Sequence, residues 1–198
     1  MVSDSELMLL GSFSDVPAES GRKRPGVSGI LGTVPPILWR RDYVGFRILS
    51  MTQENAQMIA DQWKYEGIYS FYDISADPED YQEFVTPDLR SDKYFEVYGK
   101  NGLVGFFVVE PEDHSKIELG LGLKPELCGK GLGKDFLCAI ENYVGTHYNF
   151  KTIVLWVAAF NKRAIRLYQK CGYIQTGEEE RQTNGATYRF LCMKKDFV

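Results

Sequence analysis

The chain has 198 residues with a formal net charge of −4, and 44% of its residues are hydrophobic. This length and apolar content fit one domain with a sizeable core, or one domain with a tail. The acidic balance argues against nucleic-acid binding, which needs a basic surface. The start of the chain lacks the positive charge of a secretory signal, and no apolar run approaches about eighteen residues, so we expect no membrane binding and a cytoplasmic location.

The cysteines and histidines are few and widely spaced. Four cysteines and two histidines occur, and no C-x-x-C pair is present. Zinc-type spacing is therefore absent, and we expect reduced thiols and no metal. The sequence leaves both a monomer and a homodimer open.

Residues 1–41 differ from the rest of the chain. They carry a net charge of +1 against −5 for the remainder, and neither a helical nor a strand period persists in them. We predict an N-terminal extension at 1–41 that is poorly ordered or was added for expression, followed by one domain at 42–198. An extension that recruits a protein partner is a further alternative.

From Val44 onward the pattern becomes regular. Thr52 caps the first helix, Asp77-Pro78 opens the second, and Asn101-Gly102 and Asn184-Gly185 predict two hairpins. The order β-α-α-β-β-β-α-β-α-β-β predicts an α/β fold with a mixed sheet. In chain order, the elements are a strand at 46–49, two helices from 52 and 77, strands at 93–98, 103–109 and 116–123, a helix from 133, a strand at 152–157, a helix at 161–170, and strands at 173–179 and 187–193.

A glycine-rich turn between a strand and a helix occupies residues 117–134. Such a turn presents free N–H groups and the positive end of the helix to an anion, typically a phosphate. A P-loop is excluded because Asp135 stands where Ser or Thr is required. A dinucleotide fingerprint is excluded because Lys134 takes the place of its third glycine. A turn that serves only backbone geometry remains an alternative.

The loop resembles the pattern [RQ]-x-x-G-x-[GA] of the GNAT superfamily of N-acetyltransferases. Gly131 and Gly133 supply its glycines, and Cys128 stands where Arg or Gln is usual. A second family motif follows in order, with N-x-x-A from Asn161, then Leu-Tyr ending at Tyr168, then Gly-Tyr after Cys171. The resemblance covers roughly residues 45–195 and implies a mostly antiparallel, twisted sheet with flanking helices.

The resemblance also implies acetyl-CoA as co-substrate and a set of residues that bind it. The pantetheine arm would add to the edge of the strand that ends near Leu123, where that strand splays from its neighbour. A tight packing site for a facing aromatic is the alternative explanation of the strand glycines. The predicted cofactor residues are Leu121, Gly122, Leu123, Gly129, Lys130, Gly131, Leu132, Gly133, Lys134 and Asn161.

Two residues are predicted to move protons. Tyr168 stands where the family places the general acid that protonates the leaving thiolate, although it could instead be a core residue. Glu118 is the best candidate base because it alternates with apolar Ile117 and Leu119. A plain surface glutamate is the alternative, and Glu110 is a weaker candidate.

An aromatic stretch is predicted to form one wall of the acceptor site, again by resemblance. Trp63, Tyr69 and Tyr72 are its predicted substrate residues, and Asp73, Asp77, Glu79 and Asp80 follow. Aromatic rings with carboxylates would favour an amine. The sequence therefore predicts an acetyltransferase that transfers acetyl directly to a primary amine of a small molecule or protein. The alternative is a CoA-binding regulatory module without catalysis.

Overall fold

The computed structural model describes residues 45–197, so the predicted extension at 1–41 lies outside the described residues. Within 45–197, seven strands form one sheet. They are β1 (Arg47–Ser50), β2 (Tyr94–Gly99), β3 (Gly102–Pro111), β4 (Lys116–Leu123), β5 (Thr152–Ala158), β6 (Ile174–Thr183) and β7 (Ala186–Asp196).

The helices begin where the sequence places their caps. Thr52 accepts a hydrogen bond from the Asn55 N–H, and Asp77 accepts one from the Glu79 N–H. Sequence reasoning missed α3 and the 3₁₀ turn at Gly67–Tyr72. The helices are α1 (Gln53–Gln62), α2 (Pro78–Val85), α3 (Pro87–Arg90), α4 (Gly133–His147) and α5 (Lys162–Lys170).

The sheet has the order β1-β2-β3-β4-β5-β7-β6. β4 and β5 are parallel, and every other pair of neighbours is antiparallel. This arrangement confirms the prediction of an α/β fold with a mixed, mostly antiparallel sheet. The hairpin between β6 and β7 turns at Asn184 and Gly185, which have φ angles of 49° and 73°, as its sequence predicts.

Helices cover both faces of the sheet. On one face, Phe136 and Leu137 of α4 and Ile165 of α5 belong to the same core as the inward residues of β4. On the opposite face, α1 and α2 contribute Ile59 and Phe84 to a second core. This second core also contains Phe106 and Val108, so α1 and α2 cover the part of the sheet that β3 belongs to.

The end of α5 fixes two buried tyrosines beside each other. Gly172 has a φ of 93°, and its N–H donates to the carbonyl of Gln169. The N–H of Tyr173 donates to the carbonyl of Tyr168 at 3.0 Å. These two bonds form the Schellman stop that glycine favours. The rings of Tyr168 and Tyr173 consequently pack with their centroids 5.9 Å apart.

Candidate active site

The central feature of the site is the gap between β4 and β5. The two strands pair over only three residues each, from Lys116 with Thr152 to Glu118 with Val154. Beyond Glu118, β4 continues to Leu123 with no pairing to β5, so the backbone N–H and C=O groups of residues 119–122 on that side are available to an extended ligand. The splay that the family resemblance implied is therefore present.

A glycine turn lies where β4 leads into α4. Gly129 and Gly131 have φ angles of 77° and 85°, and a Cβ added at either would meet no heavy atom within 4 Å. Space is therefore open in front of both residues. Leu132 precedes the helix without a side-chain cap, which leaves the first N–H groups of α4 without that partner. This combination suits a phosphate group at the helix N-terminus.

A cleft of about 480 Å³ follows the gap and the turn. It extends from Leu121 and Leu123 on β4 to α5, where its lining runs from Arg163 to Lys170. No Asp or Glu is among the described residues that line it. Four cations line it, namely Lys134, Arg163, Arg166 and Lys170. Coenzyme A is a phosphate-rich anion with a linear arm, so the charge and the splayed strands fit it.

Sequence reasoning missed the three cations on α5. Arg163, Arg166 and Lys170 are spaced by three and four residues, which places them on one face of the helix. The opposite face of α5 is apolar and buries Ile165 and Tyr168. The spacing of the three cations, combined with the predicted position of the helix beside the cofactor, could have found them.

Tyr168 lines the cleft with 2% of its surface exposed. Burial raises its pKa well above the usual range of a phenol, and nearby Tyr72 and Cys171 add to the increase. The phenol therefore stays protonated at neutral and mildly alkaline pH, which a proton donor requires. No hydrogen bond to the Tyr168 hydroxyl is formed within residues 45–197.

Asn161 and Tyr72 line the same cleft and lie near each other. Asn161 caps α5, because its side chain accepts a hydrogen bond from the Ala164 N–H at 3.1 Å. Burial raises the pKa of Tyr72 as well, and the nearby Asn161 side chain and Ala158 carbonyl partly oppose this increase. Two protonated tyrosines, Tyr72 and Tyr168, therefore lie near each other in the cleft.

Cys128 replaces the usual Arg or Gln of the family pattern and joins the loop to the end of β4. Its thiol lies 3.5 Å from the Leu123 carbonyl and 3.7 Å from the Lys124 carbonyl, and donates to them. The Tyr65 hydroxyl donates to the same Leu123 carbonyl at 3.0 Å. Burial raises the pKa of the Cys128 thiol, while Arg163 lowers it. The substitution thus retains an attachment between the loop and the strand.

A second cavity of about 880 Å³ adjoins the cleft. The two share Tyr65, Tyr69, Cys128 and Arg163 in their linings. The second cavity reaches the end of α1 and includes the buried Trp63. The guanidinium carbon of Arg163 lies 4.3 Å from the centroid of the Tyr69 ring, so this arginine stands where the cavities meet.

The comparison with family models decides the classification. Residues 51–173 match the model described as acetyltransferase (GNAT) family, which is more than half of the chain. The chain belongs to the GNAT acetyltransferase family.

Individual relatives of this GNAT chain are spermidine acetyltransferases by name. The spermidine N(1)-acetyltransferase of Vibrio cholerae serotype O1 is 34% identical over 87 residues, which cover 43% of this chain and 49% of the relative. The match thus spans about half the length of that curated relative. A chimera of the Vibrio cholerae spermidine N-acetyltransferase SpeG with hSSAT superposes with a TM-score of 0.62 at 23% identity, covering 75% of this chain and 93% of that one.

A further solved structure is a ligand complex. The Vibrio cholerae spermidine N-acetyltransferase in complex with CoA and spermine superposes with a TM-score of 0.61 at 19% identity, covering 76% of this chain and 95% of that one. At these identities, the structural matches show that the GNAT fold is shared.

Most predicted cofactor residues of this GNAT domain meet in the cleft. Gly122, Lys130 and Leu132 lie outside its lining. The place of Gly122 supports the packing alternative, because a Cβ there would lie 2.3 Å from Cε1 of Phe106. The lining includes Leu121, Leu123, Gly129, Gly131, Gly133, Lys134 and Asn161.

The two predicted base candidates lie opposite each other on adjacent strands. Glu118 pairs with Glu110 in the register of β3 and β4. Glu118 is 1% exposed and lies outside the linings of both cavities, whereas Glu110 is ion-paired with Lys93. A base at Glu118 would thus reach the acceptor only with local movement or through water.

The predicted acceptor residues are divided between the cavities. Tyr72 lines the first, Trp63 the second and Tyr69 both. The carboxylates that follow them in sequence serve local structure. Asp73 accepts a hydrogen bond from the Tyr65 N–H at 2.8 Å, and Asp77 caps α2. None of the four predicted acidic residues lines either cavity.

Residues 45–197 contain neither a cluster of metal ligands nor a membrane-spanning helix. No group of three or more His, Cys, Asp or Glu in this part of the chain could hold a metal ion. No helix in it is long and apolar enough to cross a bilayer. The expected cytoplasmic location and the oligomeric state stay predictions.

Proposed function

We propose that the chain transfers an acetyl group from acetyl-CoA directly to a primary amine. One observation carries the proposal, namely that β4 and β5 splay apart beside a positive-φ glycine turn and a cleft lined by four cations. The turn would receive the pyrophosphate, the free edge of β4 would receive the pantetheine arm, and Lys134, Arg166 and Lys170 would bind the remaining phosphate charge. The similarity to a spermidine N(1)-acetyltransferase of Vibrio cholerae, and to a spermidine N-acetyltransferase in complex with CoA and spermine, supports an amine acceptor.

In this proposal Tyr168 acts as the general acid. Its protonated hydroxyl borders the cleft and would give a proton to the thiolate as the carbon–sulfur bond breaks and the carbon–nitrogen bond forms. Glu118 would accept the proton that the amine loses, directly or through water. Glu118 then releases its proton to solvent and the phenol recovers one from solvent, so no net proton stays on the protein.

The direct test is an amine panel read by thiol release. The purified chain is incubated with acetyl-CoA and one amine at a time, free CoA is measured with a thiol reagent, and the product is identified by mass spectrometry. We expect one acetylated amine for each thiol released. Binding of acetyl-CoA without release for any amine would contradict the proposal and favour a CoA-binding regulatory module.

A further inference from the structure

Among the described residues, the lining of the second cavity has more basic than acidic side chains. Its lining includes Lys64, Lys124 and Arg163 against Glu66 and Glu126. Lys124 and Glu126 form an ion pair at 2.9 Å, so their charges largely cancel. Lys64, Arg163 and Glu66 are left, which gives the lining a net positive charge.

Arg163 is the basic residue of this lining that can pair with a negatively charged ligand. Its guanidinium stacks on Tyr69 and, within residues 45–197, it forms no ion pair with a carboxylate. It is exposed at the junction of the two cavities. Lys64, in contrast, already donates to the Ser75 hydroxyl and the Ala60 carbonyl. Arg163 is thus better placed than Lys64 to bind a ligand carboxylate.

The same charges disfavour a polycation. An acceptor with two or more ammonium groups needs carboxylates in the cavity, and only Glu66 there lacks an ion-pair partner among the described residues. Arg163 and Lys64 would repel the second ammonium group. The acidic residues that could have reversed this balance, such as Asp73 and Asp77, lie outside the lining and hold local turns.

We propose that the acceptor is a primary amine that also carries a carboxylate, and that Arg163 binds this carboxylate. The proposal rests on the acetyl transfer proposed above and defines its substrate class. With the carboxylate on Arg163, the amine can extend past Tyr69 into the first cleft, which Tyr168 also lines. Arg163 is then a specificity-determining residue of the acceptor site.

The test compares acids with their own amides. Glycine, β-alanine and 4-aminobutanoate place the carboxylate at increasing distance from the amine, and each is paired with its neutral amide; spermidine represents the polycations. The ratio of kcat/KM for acid over amide is measured in wild type and in Arg163→Gln. Because ratios are compared between variants, the different basicity of acid and amide cancels. A charge-assisted hydrogen bond predicts that the best acid's ratio falls about tenfold or more in the variant.

Arg166→Gln is the matched control. Arg166 lies one turn along α5 and lines the first cleft but not the second cavity. It is exposed like Arg163, so both variants should fold. We expect Arg166→Gln to raise the KM for acetyl-CoA and to leave the acid-to-amide ratio unchanged within about twofold. The kcat/KM for the dipeptide amide Gly-Asp-NH₂ is also compared with that for Gly-Asn-NH₂. This comparison tells whether the carboxylate can come from a peptide.

Three results overturn the proposal. In the first, wild type prefers spermidine to every carboxylate acceptor. In the second, Arg163→Gln changes only the KM for acetyl-CoA, as Arg166→Gln does, which would assign Arg163 to the cofactor. In both of these cases acetyl transfer to amines still stands. If no amine of any charge is acetylated, the proposed function fails and the substrate class fails with it.

Discussion

The change of Tyr168 to Phe isolates the phenolic hydroxyl. The ring is 98% buried against its neighbours, and Phe keeps that packing. Within residues 45–197 the hydroxyl forms no hydrogen bond, so its loss should cost less than about 1 kcal/mol of folding free energy. A loss of this size lowers the Tm by at most about 2–4 °C in a chain of this length.

The expected effect on catalysis is much larger. General acid catalysis contributes about 10²–10⁴ in rate, and water can replace part of it, so we expect kcat to fall at least about tenfold. The Kd for acetyl-CoA should change little, because the hydroxyl acts on the leaving thiolate. Since burial raises the pKa of Tyr168, the wild-type phenol stays protonated, and kcat should not decrease up to about pH 9 through its ionisation.

The assay is thiol release at saturating acetyl-CoA and amine, with calorimetry for the Kd. Tyr173→Phe is the matched control, because Tyr173 is equally buried and packs on Tyr168 but lies outside the cleft lining. Its kcat should stay within about twofold of wild type. If Tyr168→Phe retains near-normal kcat while the rate is independent of solvent viscosity, chemistry limits the rate and Tyr168 is a packing residue. A fall in kcat by the same factor in both variants would also contradict its role as the acid.

Two further variants test the strand that carries the site. Gly122→Ala should lower the free energy of unfolding by about 1–3 kcal/mol, because its Cβ would overlap Phe106. Gly177→Ala is the control and should lower it less, because its Cβ would lie 3.8 Å from Cys192. Equal Tm values for the two variants would refute the packing argument. Glu118→Gln should slow acetylation of a lysine-like amine more than acetylation of an α-amine. The reason is that deprotonation at pH 7 costs about 4.6 kcal/mol for the lysine-like amine and about 1.4 kcal/mol for the α-amine. Equal rate losses for the two amines would argue against a base at this position.

Much of the fold could be predicted because its signals are local. β4 runs from Lys116 to Leu123, as its apolar pattern predicts. Asn184-Gly185 adopts the left-handed angles that a two-residue hairpin requires, and Thr52 and Asp77 cap the helices that follow them. Each of these features depends on residues within a few positions of one another. The missed helix, α3, has only four residues, and so short a segment carries no detectable period.

The acceptor side could not be predicted because its charges are assigned by tertiary contacts. Asp73 and Asp77 follow an aromatic stretch in sequence, which suggested a wall of carboxylates. In the fold Asp73 turns back to the Tyr65 N–H, and Asp77 holds α2 and accepts from the Asn184 N–H, 107 residues away. Arg163 instead supplies the charge where the cavities meet, and its neighbour Tyr69 lies 94 residues earlier in the chain.

Calorimetry with acetyl-CoA tests the central claim most directly, because acetyl transfer requires the glycine turn to hold the cofactor. We expect one binding site per chain in wild type. Gly131→Glu places a negative side chain at a left-handed position in front of α4 and should weaken binding at least about a hundredfold. Gly145→Glu adds the same side chain at an exposed position near the other end of α4 and should bind like wild type. Absence of binding heat in wild type, or equal affinity in wild type and Gly131→Glu, would contradict the account.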